Sequence, residues 1–83
     1  MRKQDLVAKL SRRARIPRAA IETLLEELGR VVVDEALLKA DAVRLPNLGA
    51  AHAEWHTDNG TRYLYARFDW APDVAKRIAE AGR

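Results

Sequence analysis

Two histidines and a glutamate at alternate positions, His52, Glu54 and His56, are the residues here whose types suggest metal or acid–base chemistry. On an extended strand all three share one face, because side chains alternate with a period of two. The histidines then stand about 13 Å apart, too far to ligate one ion together, and Glu54 can bridge to only one of them. No glycine-rich phosphate loop and no Ser/His/Asp set accompanies them, and the chain has no cysteine. The expectation is therefore a protein that is not an enzyme and uses no metal, cofactor or small-molecule substrate. The histidines then belong to a polar sheet face.

Charge is the second feature able to do work. Residues 1–18 carry Arg2, Lys3, Lys9, Arg12, Arg13, Arg15 and Arg18 against one acid, Asp5, so this end holds +6 while the whole chain is only +3. A basic end on a mildly acidic body is the footprint of a polyanion partner, although a solvated face also accommodates it. The longest aliphatic run, Val31-Val32-Val33, is far too short to span a membrane, and no apolar block follows the basic start. No membrane partner and a cytoplasmic location are expected.

These groups need elements to position them. Leu6, Val7, Leu10 and Ala14 recur at helical spacing, giving a helix over about 3–13, with Asp5 and Lys9 as an i,i+4 pair. Arg15-Ile16-Pro17 should end it, since the residue before proline resists the helical region. Pro17 suits the first position of a second helix running over about 17–39. The period then changes to two. Ala42-Val43-Arg44-Leu45 reads as a strand ending at the turn signal Pro46-Asn47, and strands over about 49–57 and 61–69 flank Asn59-Gly60, the preferred type I′ pair. Pairing outward from that turn puts Ala51, Ala53, Trp55, Leu64, Ala66 and Phe68 on one face, expected to be core, and His52, Glu54, His56, Tyr63, Tyr65 and Arg67 on the other. Ala71-Pro72-Asp73 opens a last helix over about 72–81, with Gly82 as its stop. The fold class is α+β: two helices, a three-stranded antiparallel sheet and a helix, in one domain of residues 1–83.

A chain of 83 residues that is 48% hydrophobic has ample apolar material for so small a body, so either the monomer is marginal or a second copy shares its core. Ile21, Leu24, Leu25, Leu28, Val31, Val32 and Ala36 make a stripe too wide for one short helix to cover. A dimer with packed long helices is expected. Its interface would use Leu24, Leu25, Leu28, Val32, Leu48 and Phe68. Gly29 within the stripe is either a close crossing point or a tolerated surface glycine.

The opening Met1-Arg2-Lys3-Gln4-Asp5-Leu6-Val7, the run Asp41-Ala42-Val43-Arg44-Leu45-Pro46-Asn47-Leu48-Gly49, and Arg67-Phe68 before a short last helix together resemble the HU and integration host factor proteins of bacteria. The resemblance implies an intertwined dimer with a helical base and a β-saddle. It also implies two β-arms whose tip prolines wedge between base pairs and bend the DNA. By position it makes Lys3 and Arg18 phosphate contacts. Several departures stand out. His56-Thr57-Asp58-Asn59-Gly60-Thr61 is a tight hairpin without a tip proline, so the arm is expected to be truncated. Asn47 and Leu48 replace the first two residues of the family's Gly-Phe-Gly. Pro72, between Asp69 and Asp73, stands where the family places a phosphate-binding lysine.

Double-stranded DNA is accordingly the expected partner, bound without sequence preference and with weak or no bending. The expected contacts are Lys3, Arg18, Arg2, Arg13, Arg15, Arg44, Tyr63, Tyr65 and Arg67, and the expected location is the nucleoid. The molecule acts as a homodimer or pairs with a longer, armed paralogue. Two other readings fit the same residues. One is a dimeric protein-interaction module that has given up DNA. The other is a platform stacking single-stranded bases on Tyr63 and Tyr65, which Glu54 beside them opposes and ordinary cross-strand pairing explains equally.

Overall fold

The structure is a computed structural model that describes residues 1–82. The chain divides into two compact units, residues 1–31 and the remainder from Val32.

The first unit holds two helices, α1 (Lys3–Ala14) and α2 (Arg18–Arg30). At the start of α1 the Asp5 carboxylate accepts the Arg2 N–H at 3.2 Å, half of a capping box. That use replaces the expected Asp5–Lys9 pair. The helix is capped at Arg15, two residues before Pro17: Arg15 is left-handed (φ 58°) and returns its N–H to the Ser11 carbonyl. The Ile16 N–H reaches the same oxygen at 3.2 Å, and the Ser11 hydroxyl donates to the Ile16 carbonyl at 2.5 Å. The break is thus a left-handed cap rather than the steric effect of Pro17. Pro17 sits outside α2 as its N-cap, with Arg18 the first helical residue. Val7 and Ile21 are buried.

The helical path continues to Lys39, but not as one α-helix. Val31–Ala36 is π-helical and Leu37–Lys39 is a 3-10 turn, closed by left-handed Ala40. Three successive β-branched valines, each stiff at χ1 and slightly less suited to an α-helix, open the wider turn.

The second unit carries an antiparallel sheet of β1 (Ala42–Leu45), β2 (Gly49–Asp58) and β3 (Thr61–Trp70) in that spatial order, followed by α3 (Pro72–Ala81). Asn59 (φ 50°) and Gly60 (φ 79°) form the hairpin turn, both with the positive φ that a type I′ turn requires. The β2–β3 register runs outward from it as the turn dictates, from Asp58 opposite Thr61 to Gly49 opposite Trp70. Asn47 is left-handed at φ 62°. Gly49 is required for a different reason: a Cβ there would lie 2.1 Å from the Asp69 carbonyl oxygen and 2.9 Å from the Phe68 ring. The Ala71 N–H bonds the Leu48 carbonyl at 3.0 Å, tying the β1–β2 turn to the start of α3.

Ala36, Ala51 and Ala53 are buried, where the 3-10 turn packs on β2. On the same sheet face Phe68, opposite Ala51, is 36% exposed, Ala66, opposite Ala53, is exposed, and Trp55, nearer the tip, is 49% exposed, so these three are not core within one copy. The cover lies over the inner half of β2 and leaves β3 open. Arg62, diagonal to Trp55 across the strands, partly roofs its ring with the guanidinium carbon 4.3 Å from the ring centre.

Candidate nucleic-acid interface

The two units handle charge differently. In the helical unit Arg2 caps α1, Arg13 lies in its last turn, Arg15 occupies the left-handed cap and Arg18 opens α2. All four are exposed, and among the described residues none has a carboxylate within 4.0 Å. Lys3 is different: its Nζ lies 3.7 Å from Glu26 Oε1 on α2, with both side chains largely exposed. Such a solvated pair is worth about 0–1 kcal/mol, so a phosphate can displace Glu26 at little cost. Lys3 and Arg18, carried over by position, thus belong to one helical unit that also presents Arg13 and Arg15.

On the sheet, Arg44, Tyr63, Tyr65 and Arg67 share one face with His52, Glu54, His56 and Asp69, since directly paired residues point the same way. Here the charges neutralise one another. His52 Nε2 lies 2.7 Å from Asp69 Oδ2 and 3.1 Å from Arg67 Nε. One nitrogen cannot donate to the carboxylate and accept from the guanidinium together; the shorter contact takes the proton. Arg67 then joins the cluster by charge, its Nε 3.8 Å from Asp69 Oδ2. Glu54 does bridge to one histidine only: His56 Nε2 lies 3.1 Å from Glu54 Oε1. That hydrogen bond and the charge of His56 hold the Glu54 carboxyl below its ordinary pKa, with Arg67 and His52 adding smaller effects. The His56 ring stands 5.8 Å from the Tyr63 ring and 5.2 Å from that of Tyr65, and both tyrosines are exposed. Arg44 lines a cleft of about 380 Å³ with Asp69, Trp70 and Pro72.

Sequence reasoning missed two of these contacts. Asp69 is more than a phosphate-repelling neighbour of Pro72, because it closes the His52–Arg67 cluster. Arg62 on Trp55 was also missed. The hairpin register carried both signals, since Arg67 opposes His52 with Asp69 two positions along, and Arg62 opposes Thr57 next to Trp55 on that face.

The proposed interface residues stand partly or wholly uncovered. Leu24 is 57% exposed and Leu28 47%; Leu48 and Phe68 are exposed, and Leu25 and Val32 half-buried. Leu24, Leu28 and Val31 follow at i, i+4 and i+7 along one stripe. A Cβ on Gly29 would meet nothing within 4 Å, so within one copy it is a surface glycine. No helix among the described residues is long and apolar enough to cross a membrane.

No curated protein matches the chain. Among solved structures, a variant of HU from Thermotoga maritima matches with a TM-score of 0.74 at 14% identity, covering 94% of this chain and 99% of that one. At that identity the likeness shows the fold: α+β, with the helix, helix, sheet and helix order of HU. The family model described as bacterial DNA-binding protein matches residues 1–58, from α1 through the end of β2. The chain therefore belongs to the bacterial DNA-binding protein family of HU and integration host factor.

Proposed function

We propose that this protein is a histone-like, double-stranded DNA-binding protein that acts as a homodimer, binds without sequence preference and bends DNA weakly or not at all. The observation that carries the reading is the set of exposed cations in the helical unit, Arg2, Arg13, Arg15 and Arg18, with no carboxylate partner among the described residues. Such cations contact phosphates and release counterions whatever the base sequence. Lys3 joins them by exchanging Glu26 for phosphate. Tyr63, Tyr65, Arg44 and Arg67 offer the sheet face to the groove at closer range. The site of action on this reading is the nucleoid in the cytoplasm.

The dimer is supported by the stripe on α2 and by Leu48 and Phe68. Covering the exposed halves of such side chains is worth on the order of 1 kcal/mol each. Weak bending follows from the hairpin end: Asn59-Gly60 is a two-residue turn of small polar residues, with no proline or large apolar side chain to wedge between base pairs.

The test is an anisotropy titration of a short duplex across a salt series. If a dimer neutralises about 4–6 phosphates, the log–log slope is about −4 to −5, and Lys3→Glu with Arg18→Glu removes most of the binding. A slope near zero, or a double variant that binds like wild type, refutes the reading. One observation favours a second reading, the protein-interaction module: the sheet face neutralises its own charges and displays Tyr63 and Tyr65. Tyr65→Ala that spares DNA binding but abolishes capture of a protein partner would select it.

A further inference from the structure

We propose that the free edge of β3 is a docking site for the β3 of a second copy, the two strands pairing antiparallel about Ala66 into one six-stranded sheet. This contact is independent of DNA binding and of the stripe on α2.

β3 is an edge strand, since the sheet order is β1-β2-β3, and among the described residues only β2 packs extensively against it. Which of its backbone groups are free follows from the turn. A two-residue type I′ turn is closed by a hydrogen-bonded pair, here Asp58 with Thr61, and bonded pairs recur at every second residue. Thr61, Tyr63, Tyr65, Arg67 and Asp69 therefore bond to β2. The other side of β2 agrees: Ala53 gives its N–H to the Asp41 carbonyl at 3.3 Å, so the odd-numbered residues of β2 turn to β1 and the even-numbered ones to β3. Arg62, Leu64, Ala66, Phe68 and Trp70 are left with their N–H and C=O groups directed outward. Native edge strands are ordinarily guarded by proline, lysine, a bulge or shortness. β3 runs for ten residues, holds no proline, glycine or lysine, and pairs with β2 without a bulge.

The residues of β3 also fit their own copies. A two-fold axis through Ala66 keeps like faces together and sets outward groups opposite outward groups along the strand. On the apolar face Leu64 then meets Phe68, and Arg62 meets Trp70, which is 51% exposed in one copy. On the polar face Tyr63 meets Asp69 and Tyr65 meets Arg67. Ala66, small and exposed, lies opposite itself. No like charges face each other. Neighbouring registers that keep the faces matched are worse: centring on Arg67 opposes two arginines, and centring on Tyr65 carries Trp70 past the strand to Gly60. Each copy offers this edge once, so pairing joins two copies, or joins two dimers already formed through α2.

The test is amide deuterium exchange of wild type, read residue by residue by NMR in dilute and in concentrated samples. The outward amides of Leu64, Ala66 and Phe68 should slow on concentration by at least about tenfold more than the β2-bonded amides of Tyr63, Tyr65 and Arg67. In parallel, sedimentation velocity of concentrated samples compares wild type with Ala66→Lys, Ala66→Glu and their equal mixture, each checked for its thermal unfolding curve. Wild type should associate beyond the species present at low micromolar concentration. Each variant alone should not, because it sets like charges opposite each other, and the mixture should regain the association. Outward amides that exchange equally fast in both samples overturn the proposal, leaving the edge to solvent or to a strand of another protein. A mixture that associates no better than either variant overturns it too. Neither result touches the α2 dimer or the DNA-binding reading. If the variants fail to fold, the wild-type exchange pattern decides alone.

Discussion

The helical unit and the sheet use their charges oppositely. On α1 and α2 the arginines are spread along exposed positions where few acids reach them: among the described residues only Lys3 with Glu26 and Arg30 with Glu27 are paired there. On the polar sheet face nearly every charge has met its opposite, through His52–Asp69–Arg67 and Glu54–His56. The difference follows from the elements. A strand pair sets residues from distant parts of the chain side by side, so a carboxylate and a cation on one face find each other. A short helix with basic residues on several sides has no such partner strand. On the proposed reading, affinity for a polyanion belongs to the helices, while the sheet offers shape and aromatic surface.

The most severe challenge to that division concerns assembly. Leu24→Asp with Leu28→Asp puts charge into the open stripe of α2, and sedimentation equilibrium at low micromolar concentration should then report only the 9.4 kDa monomer. A wild type that already sediments at that mass would end the dimer proposal. Next comes the contrast in charge. Arg13→Gln with Arg15→Gln should weaken duplex binding about tenfold near physiological salt and flatten the salt slope by about 2, whereas Arg67→Gln should change affinity less than about twofold. Equal losses from both would erase the distinction between the units. A smaller effect sharpens the helical side. Gly29→Ala should stabilise α2 by about 1 kcal/mol in thermal unfolding, because a methyl group there meets nothing within one copy. A loss instead would place Gly29 at a helix crossing between copies.

The smallest effect is on the sheet. With its folded-state pKa depressed, Glu54 contributes stability that is fully present above its ordinary value of 4.5 and lost as pH falls through the lower folded value. The full exposure of the group keeps that contribution slight. Glu54→Gln should therefore be slightly less stable than wild type at pH 7, with the two unfolding curves converging on the acid limb below about pH 4.5. Curves that coincide at every pH would mean that the Glu54–His56 contact contributes nothing.

Where the sequence was legible, a local rule was strong enough to dominate. Asn59-Gly60 admits one turn geometry, and that turn sets every pair from Asp58 and Thr61 down to Ala51 and Phe68. Asn47 announced its left-handed backbone in the same way. The second helix was harder, because its spacing is helical throughout and nothing in an apolar period distinguishes an α-turn from the wider turn at Val31–Ala36. The end of α1 was attributed to Pro17, whose effect on its neighbour is well defined, while the left-handed cap at Arg15 comes from a residue type that gives no warning of it. At the candidate site the exposed arginines were plain from composition. The Lys3–Glu26 contact was not, since it joins residues of two helices. The apolar sheet face was assigned correctly in register yet not in burial: Trp55, Ala66 and Phe68 point the expected way and stay open because one copy covers only Ala51 and Ala53.

Gly49 has a mechanical consequence. Its missing side chain lets the Asp69 carbonyl stand where a Cβ would be, at the root of a hairpin whose strands run ten residues each. At about 3.3 Å per residue, the Asn59-Gly60 tip lies roughly 30 Å from that root. The hairpin is thus a lever pivoted beside residue 49. A single methyl group there must push the strands apart by an ångström or so, a shift that the lever magnifies at the tip, swinging Arg62 and Trp55 with it.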